Sequence, residues 1–328
     1  MSSPVSSART RREFLRISAG CGAHMLMLSS LWPSRAAAIF EAGRGPIVER
    51  EPWGRIEQVA GGIWAMISTP LEDRTTLCNG GIIRGRSGVV AIETFARPEG
   101  ASWLARQARE LTGRWPDHVI LTHYHGDHSG GAAGYVRDDG APPLHATTAT
   151  RDLVTRADAQ RAGQPPDAVK KKVFDDARPI DAERESFIDL GDRRLRLVPR
   201  AGHTRSDVSI EIDDPAVVFC GDLVWNRMFP NYVDAIPSRL SRDVRALLRE
   251  GSTTYVPGHG PLADTADMRR YITLLDSVEE AAMNAKRQGL SAADAAKSYA
   301  IPADLGEWTL FNPRYYETAI GAWLRESA

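Results

Sequence analysis

Apolar positions early in the chain come in short runs broken by Gly-rich turns. Ile56 to Ile67, Gly81 to Arg84 and Gly88 to Ile92 read as strands. Ser102 to Leu111 changes period: Trp103, Leu104, Ala108 and Leu111 recur at helical spacing. Val119-Ile120-Leu121-Thr122 is then a four-residue buried strand. The polar, charge- and Ala-rich stretch from Ala149 to Arg184 predicts helices or a mobile insertion. Strand patterns resume at Arg194 to Pro199, Val208 to Ile212, Val217 to Cys220 and Thr254 to Val256, with a helix at Arg242 to Glu250. A long helical pattern runs from Asp267 to Lys297, and a last helix spans Tyr315 to Leu324. Strands followed by a helix, twice over, predict two β-layers with helices outside.

The first 38 residues read as an address rather than as structure. Arg11-Arg12-Glu13-Phe14-Leu15 precedes a weakly apolar stretch and then the small residues Ala36-Ala37-Ala38. The paired arginines resemble a twin-arginine export signal, which implies the Tat translocase as a partner and a periplasmic or secreted destination. The apolar stretch is interrupted by Gly20, Gly22 and His24, too polar for stable membrane insertion. The expected division is residues 1–38 as signal, 39–265 as catalytic domain and 266–328 as a C-terminal helical extension.

Charge narrows the function further. Formal net charge is −1, and residues 1–38 hold five Arg against one Glu, so the remainder stands near −5. A mildly acidic chain lacks the basic footprint of nucleic-acid binding. Three cysteines are too few for a disulfide framework. Cys78 and Cys220 are read as small buried thiols, with pairing as the alternative.

Three of the eight histidines fall within six residues: His123, His125 and His128, with Asp127 between them. Imidazoles and a carboxylate suit a borderline divalent ion such as zinc, with iron or manganese also accepted. At a strand exit His123 and His125 point to one side, and a turn at Gly126 directs Asp127 and His128 to a second point nearby. One short run is therefore able to feed two adjacent ions. His118 and His145 have no motif around them and read as structural.

The run Leu121-Thr122-His123-Tyr124-His125-Gly126-Asp127-His128-Ser129-Gly130-Gly131 resembles the signature of the metallo-β-lactamase superfamily. Gly202-His203-Thr204, Cys220-Gly221-Asp222 and Pro257-Gly258-His259-Gly260 follow in the order that family implies. The resemblance implies an α/β, four-layer αββα sandwich. It assigns His123, His125 and His203 to one metal, Asp127, His128 and His259 to a second, and Asp222 to a bridge, so that Asp127 and Asp222 serve catalysis as well as binding. It also implies two divalent ions acting on a water to give a hydroxide nucleophile near neutral pH. Taken alone, His203, Asp222 and His259 are also compatible with a turn cap, a helix cap and a loop histidine.

Asp222 stands about where zinc β-lactamases carry a Cys, so the ligand set is closer to glyoxalase II, lactonases and broad hydrolases. A single-iron persulfide dioxygenase and a non-catalytic metal-binding accessory protein are the rival readings. The aromatic stretch after Asp222, with Trp225, Phe229 and Tyr232, is expected to form one wall of a small-molecule substrate pocket.

Overall fold

In a computed structural model, which describes residues 45–70, 72–160 and 167–327, the chain forms two sheets stacked face to face. The export segment expected at residues 1–38 lies outside the described residues. The first sheet has β1 (Ile47–Glu51), β2 (Gly54–Ala60), β3 (Ile63–Ser68), β4 (Gly80–Arg84) and β5 (Val89–Ile92) in antiparallel succession. After helix α1 (Pro98–Thr112), the strands β6 (His118–Ile120), β7 (Leu144–Thr147) and β8 (Arg178–Ile180) continue the sheet in parallel. The connections carry the one-turn α2 (Gly126–Ser129), α3 (Thr148–Ala159) and α4 (Ala168–Asp175). The second sheet is built from β9 (Ser186–Asp189), β10 (Arg194–Arg200), β11 (Asp207–Ile212), β12 (Val217–Trp225) and β13 (Thr254–His259), ordered β13-β12-β11-β10-β9. Only β12 and β13 are parallel there, and α5 (Pro237–Leu247) lies in their crossover.

Three apolar clusters account for the layers. Side chains of a strand alternate between faces, and β3 shows the consequence. Ile63, Ala65 and Ile67 enter the cluster between the sheets, while Trp64 and Met66 join Trp103, Leu104 and Ala108 of α1 on the outer face. On β12, Val217 and Phe219 face the first sheet, and Val218 and Cys220 face the helices of the far layer. That layer comprises α5, α6 (Thr265–Gln288), α7 (Ala292–Ser298) and α8 (Tyr315–Glu326). Leu274 and Val278 of α6 and Ala319, Ile320 and Trp323 of α8 share one core with β12. The molecule is thus the αββα sandwich expected from sequence, and the C-terminal helices supply part of its outer layer. No helix among the described residues is long and apolar enough to cross a membrane.

Several boundaries differ from the sequence reading for local reasons. Ile56 to Ile67 is two strands, turned at Gly61-Gly62. The pattern from Asp267 to Lys297 breaks at Gly289, whose left-handed φ of 65° closes α6 before Ser291 caps α7. The helix expected at Arg242 starts earlier, with Pro237 in its first turn. Strand β8 falls inside the stretch read as helical, and β12 runs on to Trp225 because both of its faces are buried. Asp222 consequently sits within a strand, where it has no helix to cap. Cys78 and Cys220 are both free and buried.

Candidate metal centre

The candidate ligand residues arrive from both sheets. β6 is buried on both faces and ends in the loop that carries His123 and His125, with Asp127 and His128 in α2. The second sheet brings His203 on the loop between β10 and β11, Asp222 on β12 and His259 as the last residue of β13. A carboxylate fixes the His203 loop: Asp207 accepts from Gly202 N at 2.8 Å and from Thr204 N and Oγ1 at 2.9 and 2.7 Å. Burial holds the pKa of Asp207 up at about 6, and these hydrogen bonds oppose the shift.

All seven residues that the sequence proposed converge, in two groups: His123, His125, His203 and Asp222 in one, Asp127, His128 and His259 in the other. Within the first, His125 Nδ1 lies 3.2 Å from His123 Nε2 and 2.9 Å from His203 Nε2. Asp222 turns Oδ2 to this group, 3.2 Å from His203 Nε2. Its other oxygen, Oδ1, faces the second group, 3.0 Å from His128 Nε2 and 3.3 Å from His259 Nε2. Asp127 Oδ2 closes that group at 3.3 Å from His259 Nε2.

These atoms fit divalent cations. Asp222 Oδ1 and the Nε2 atoms of His128 and His259 are buried and satisfy no hydrogen bond of good geometry, although they point at one another. Convergent donors without protein partners are what a bound cation resolves, and the mix of imidazole and carboxylate suits zinc, iron or manganese. The imidazoles are poised differently, and not simply by group: burial opposes charge on His125, but its hydrogen bond to Asp234 outweighs it and raises the pKa. Burial keeps His123 neutral and lowers His203 to about 3. Burial also opposes charge on His259, but Asp222 and Asp127 outweigh it and raise the pKa to about 9. His128 is likewise raised, by Cys78, Asp222, Glu93 and Asp127 against burial.

A ligand imidazole must lose its proton to bind, so metal uptake is expected to release protons. The affinity should rise about tenfold per pH unit for each proton displaced while His125, His128 and His259 remain protonated, with the His259 contribution ending above about 9. Calorimetry in buffers of different ionisation enthalpy measures this. His203→Gln should keep the dependence and His259→Gln should lose its upper part; pH-independent uptake would contradict the assignment.

Two supporting carboxylates were not identified from sequence. Asp234 Oδ2 lies 3.1 Å from His125 Nε2 and also accepts from the Tyr124 hydroxyl. It sits just beyond the aromatic stretch, with no motif to mark it. Glu93 follows β5 in the left-handed region, at φ 75°. It accepts from the Thr122 hydroxyl and lies 3.1 Å from His128 Nδ1. An acidic residue directly after the apolar run Val89 to Ile92 is the one hint that sequence offered. Asp234 hydrogen-bonds the ring of His125, and Glu93 sets its charge beside His128, one carboxylate per group. Asp234→Asn should weaken retention of the first-group ion by about 10–100-fold, read by chelator competition. Unchanged retention would remove Asp234 from this role.

The expected pocket wall is placed otherwise. Trp225, Phe229 and Tyr232 are 2%, 0% and 1% exposed and lie in the core against α6 and α8. Phe229 meets Tyr316 edge-on at 4.8 Å, so its apolar surface is spent on the C-terminal helices. Trp225 lies over the ring of His259, centroids 4.0 Å apart, and backs a ligand instead of facing solvent. Tyr124, Asp127 and Asp234 are the more open groups beside the ligands.

A family model described as Metallo-beta-lactamase superfamily matches residues 74–276, more than half of the chain. The chain belongs to the metallo-beta-lactamase superfamily. Among curated relatives of this superfamily member, a hydroxyacylglutathione hydrolase of Acidiphilium cryptum (strain JF-5) is 28% identical over 220 residues, 67% of this chain and 79% of the relative. A 2,4-dinitroanisole O-demethylase subunit alpha of Nocardioides sp. (strain JS1661) is 27% identical over 277 residues, 81% of this chain and 78% of the relative. Among solved structures, a stereoselective inverting sec-alkylsulfatase from Pseudomonas sp. aligns with TM-score 0.66 at 15% identity, covering 99% of this chain and 63% of that one. At that identity the likeness is one of fold, and its coverage takes in the C-terminal helices. The chain is accordingly a metallo-hydrolase-like superfamily member with a candidate metal site.

Proposed function

We propose that the protein is an exported hydrolase that holds two divalent ions, zinc foremost with iron or manganese as alternatives, and cleaves an ester, thioester, lactone or related bond of a small molecule. The observation that carries the reading is the division of Asp222: one oxygen faces each ligand group. The superfamily relatives support the hydrolytic class, since one is named as a hydrolase of acylglutathione, a thioester.

Two ions held there would supply Lewis acidity and a means of ionising water near neutral pH. The chain's own residues set the conditions. Asp222 and Asp127 offset cationic charge, which the five neutral imidazoles do not. His123 and His203 are already neutral and present lone pairs without losing a proton. Asp234 holds the ring of His125 by a hydrogen bond, and Glu93 places a negative charge beside His128. Tight burial of the imidazoles keeps competing water from the donors, while Asp127, 10% exposed, is the most open of the seven residues. Its acidic chain gives no reason to invoke nucleic acid. The partners in this reading are the small-molecule substrate and, in transit, the Tat translocase.

Metal-depleted protein tested on aryl esters, acyl thioesters and lactones is expected to turn over at least one class once divalent ions are restored, and to stop with chelator. Turnover of none, or turnover that requires dioxygen, would overturn the hydrolase reading. Arg11→Lys with Arg12→Lys is expected to leave the protein in the cytoplasm with residues 1–38 attached. Processed protein in the periplasm from that variant would overturn the export route.

A further inference from the structure

The described residues hold seven histidines, and five of them form the centre above. The other two face one another. His118 opens β6, His145 lies on the adjacent β7, and His118 Nδ1 is 3.1 Å from His145 Nε2. Their rings stand 5.1 Å apart, tilted by 62°, and both are half-buried. Along the strand His118 precedes His123 by five residues, so the pair sits roughly 15 Å from the ligand run, at the other end of β6.

We propose that His118 and His145 form a separate two-histidine chelate for a divalent transition ion such as Zn2+, Ni2+ or Cu2+. Three observations support it. First, the nitrogen–nitrogen spacing matches that of the other centre, where ligand nitrogens lie 2.9 and 3.2 Å apart. Second, metal–nitrogen bonds of about 2.0–2.1 Å across that spacing give an angle of roughly 100°, between octahedral and tetrahedral values. Third, both rings are neutral at ordinary pH. Burial lowers His118 despite Asp117, and burial, His118 and Arg178 lower His145 to about 4. Neither nitrogen then has to shed a charge before binding.

Two charges flank the pair. Arg178, in register with His145 on β8, opposes a cation. It is exposed, so solvent screens it, and Asp117 beside His118 offsets it. Water completes the coordination from the open side. The ion would tie β6 to β7 directly behind the strand that delivers His123 to His128.

Zinc uptake by equilibrium dialysis compares the wild type with His118→Gln and His145→Gln. Each variant is expected to bind one ion fewer per chain than the wild type while keeping its hydrolytic activity. Ni2+ should also raise the melting temperature of the wild type by more than that of either variant. The same zinc count in all three proteins would overturn the proposal. The comparison is a difference of one ion, so it holds whether the other centre takes one metal or two. Should either variant fold poorly, the wild type alone decides. Ni2+ should protect His118 and His145 from diethyl pyrocarbonate, read by peptide mass, and unprotected modification would refute the site.

Discussion

Asp222→Asn is expected to lower the metal held in the Asp222 centre from about two ions towards one and to cut the rate of hydrolysis by about a hundredfold or more. Asp222 Oδ2 serves His203's group and Oδ1 serves His259's group, so one carboxylate neutralises charge at both. Two dications about 3.5–4 Å apart repel strongly, and a bridging anion offsets that repulsion. Asn keeps the shape and loses the charge. A helix-capping Asp222 would make the same change nearly silent, because Asn caps as well as Asp, but the residue lies inside β12. A second signal follows without metal. His259 is held near pKa 9 chiefly by Asp222, against burial, so in the variant it should titrate lower by NMR. Two ions retained with full activity would remove Asp222 from the bridge.

Gly258→Ala is expected to damage the centre almost as severely, through packing alone. A Cβ at Gly258 would stand 2.0 Å from Asp222 Oδ1 and 2.8 Å from the Gly221 carbonyl carbon. Neither β12 nor β13 has room to yield, since both strands are buried and paired with each other. Overpacking of this kind costs about 1–3 kcal/mol. The displaced atom is the oxygen that faces His128 and His259, so loss of the second ion should accompany the loss of stability. Gly251→Ala is the control for general destabilisation: its φ is positive, at 89°, where that of Gly258 is not, and nothing lies within 4 Å of an added Cβ. It should cost backbone strain of about 1 kcal/mol and leave metal content unchanged. Equal metal loss in both variants would mean that general loss of stability, not contact with Asp222, is responsible.

The site was legible because its ligands cluster locally or sit in short motifs. His123, His125, Asp127 and His128 occupy one strand exit, and the alternation of side chains already placed them together. The layers were legible because the strands are short apolar runs set between turns, and the central ones are buried on both faces. What escaped depends on tertiary contact. Asp234 acquires its role only when the loop after β12 folds back over Tyr124 and His125. The aromatic stretch at Trp225, Phe229 and Tyr232 looked like a pocket wall because nothing local shows that α6 and α8 return to cover it. His118 and His145 lie 27 residues apart, and only the parallel pairing of β6 with β7 makes them neighbours. Gly289 was passed over inside a helical pattern because an isolated glycine is tolerated there; its left-handed φ, absent from the sequence, is what ends the helix.

The central claim is a pair of ions joined by Asp222. Loading metal-depleted protein with two equivalents of Mn2+ and recording its electron paramagnetic resonance spectrum tests it most directly, because ions that share a carboxylate couple their spins. The account predicts a spin-coupled spectrum in the wild type that gives way to isolated Mn2+ in Asp222→Asn. Saturation at a single ion in those two ligand groups, or two ions with no coupling between them, would contradict it.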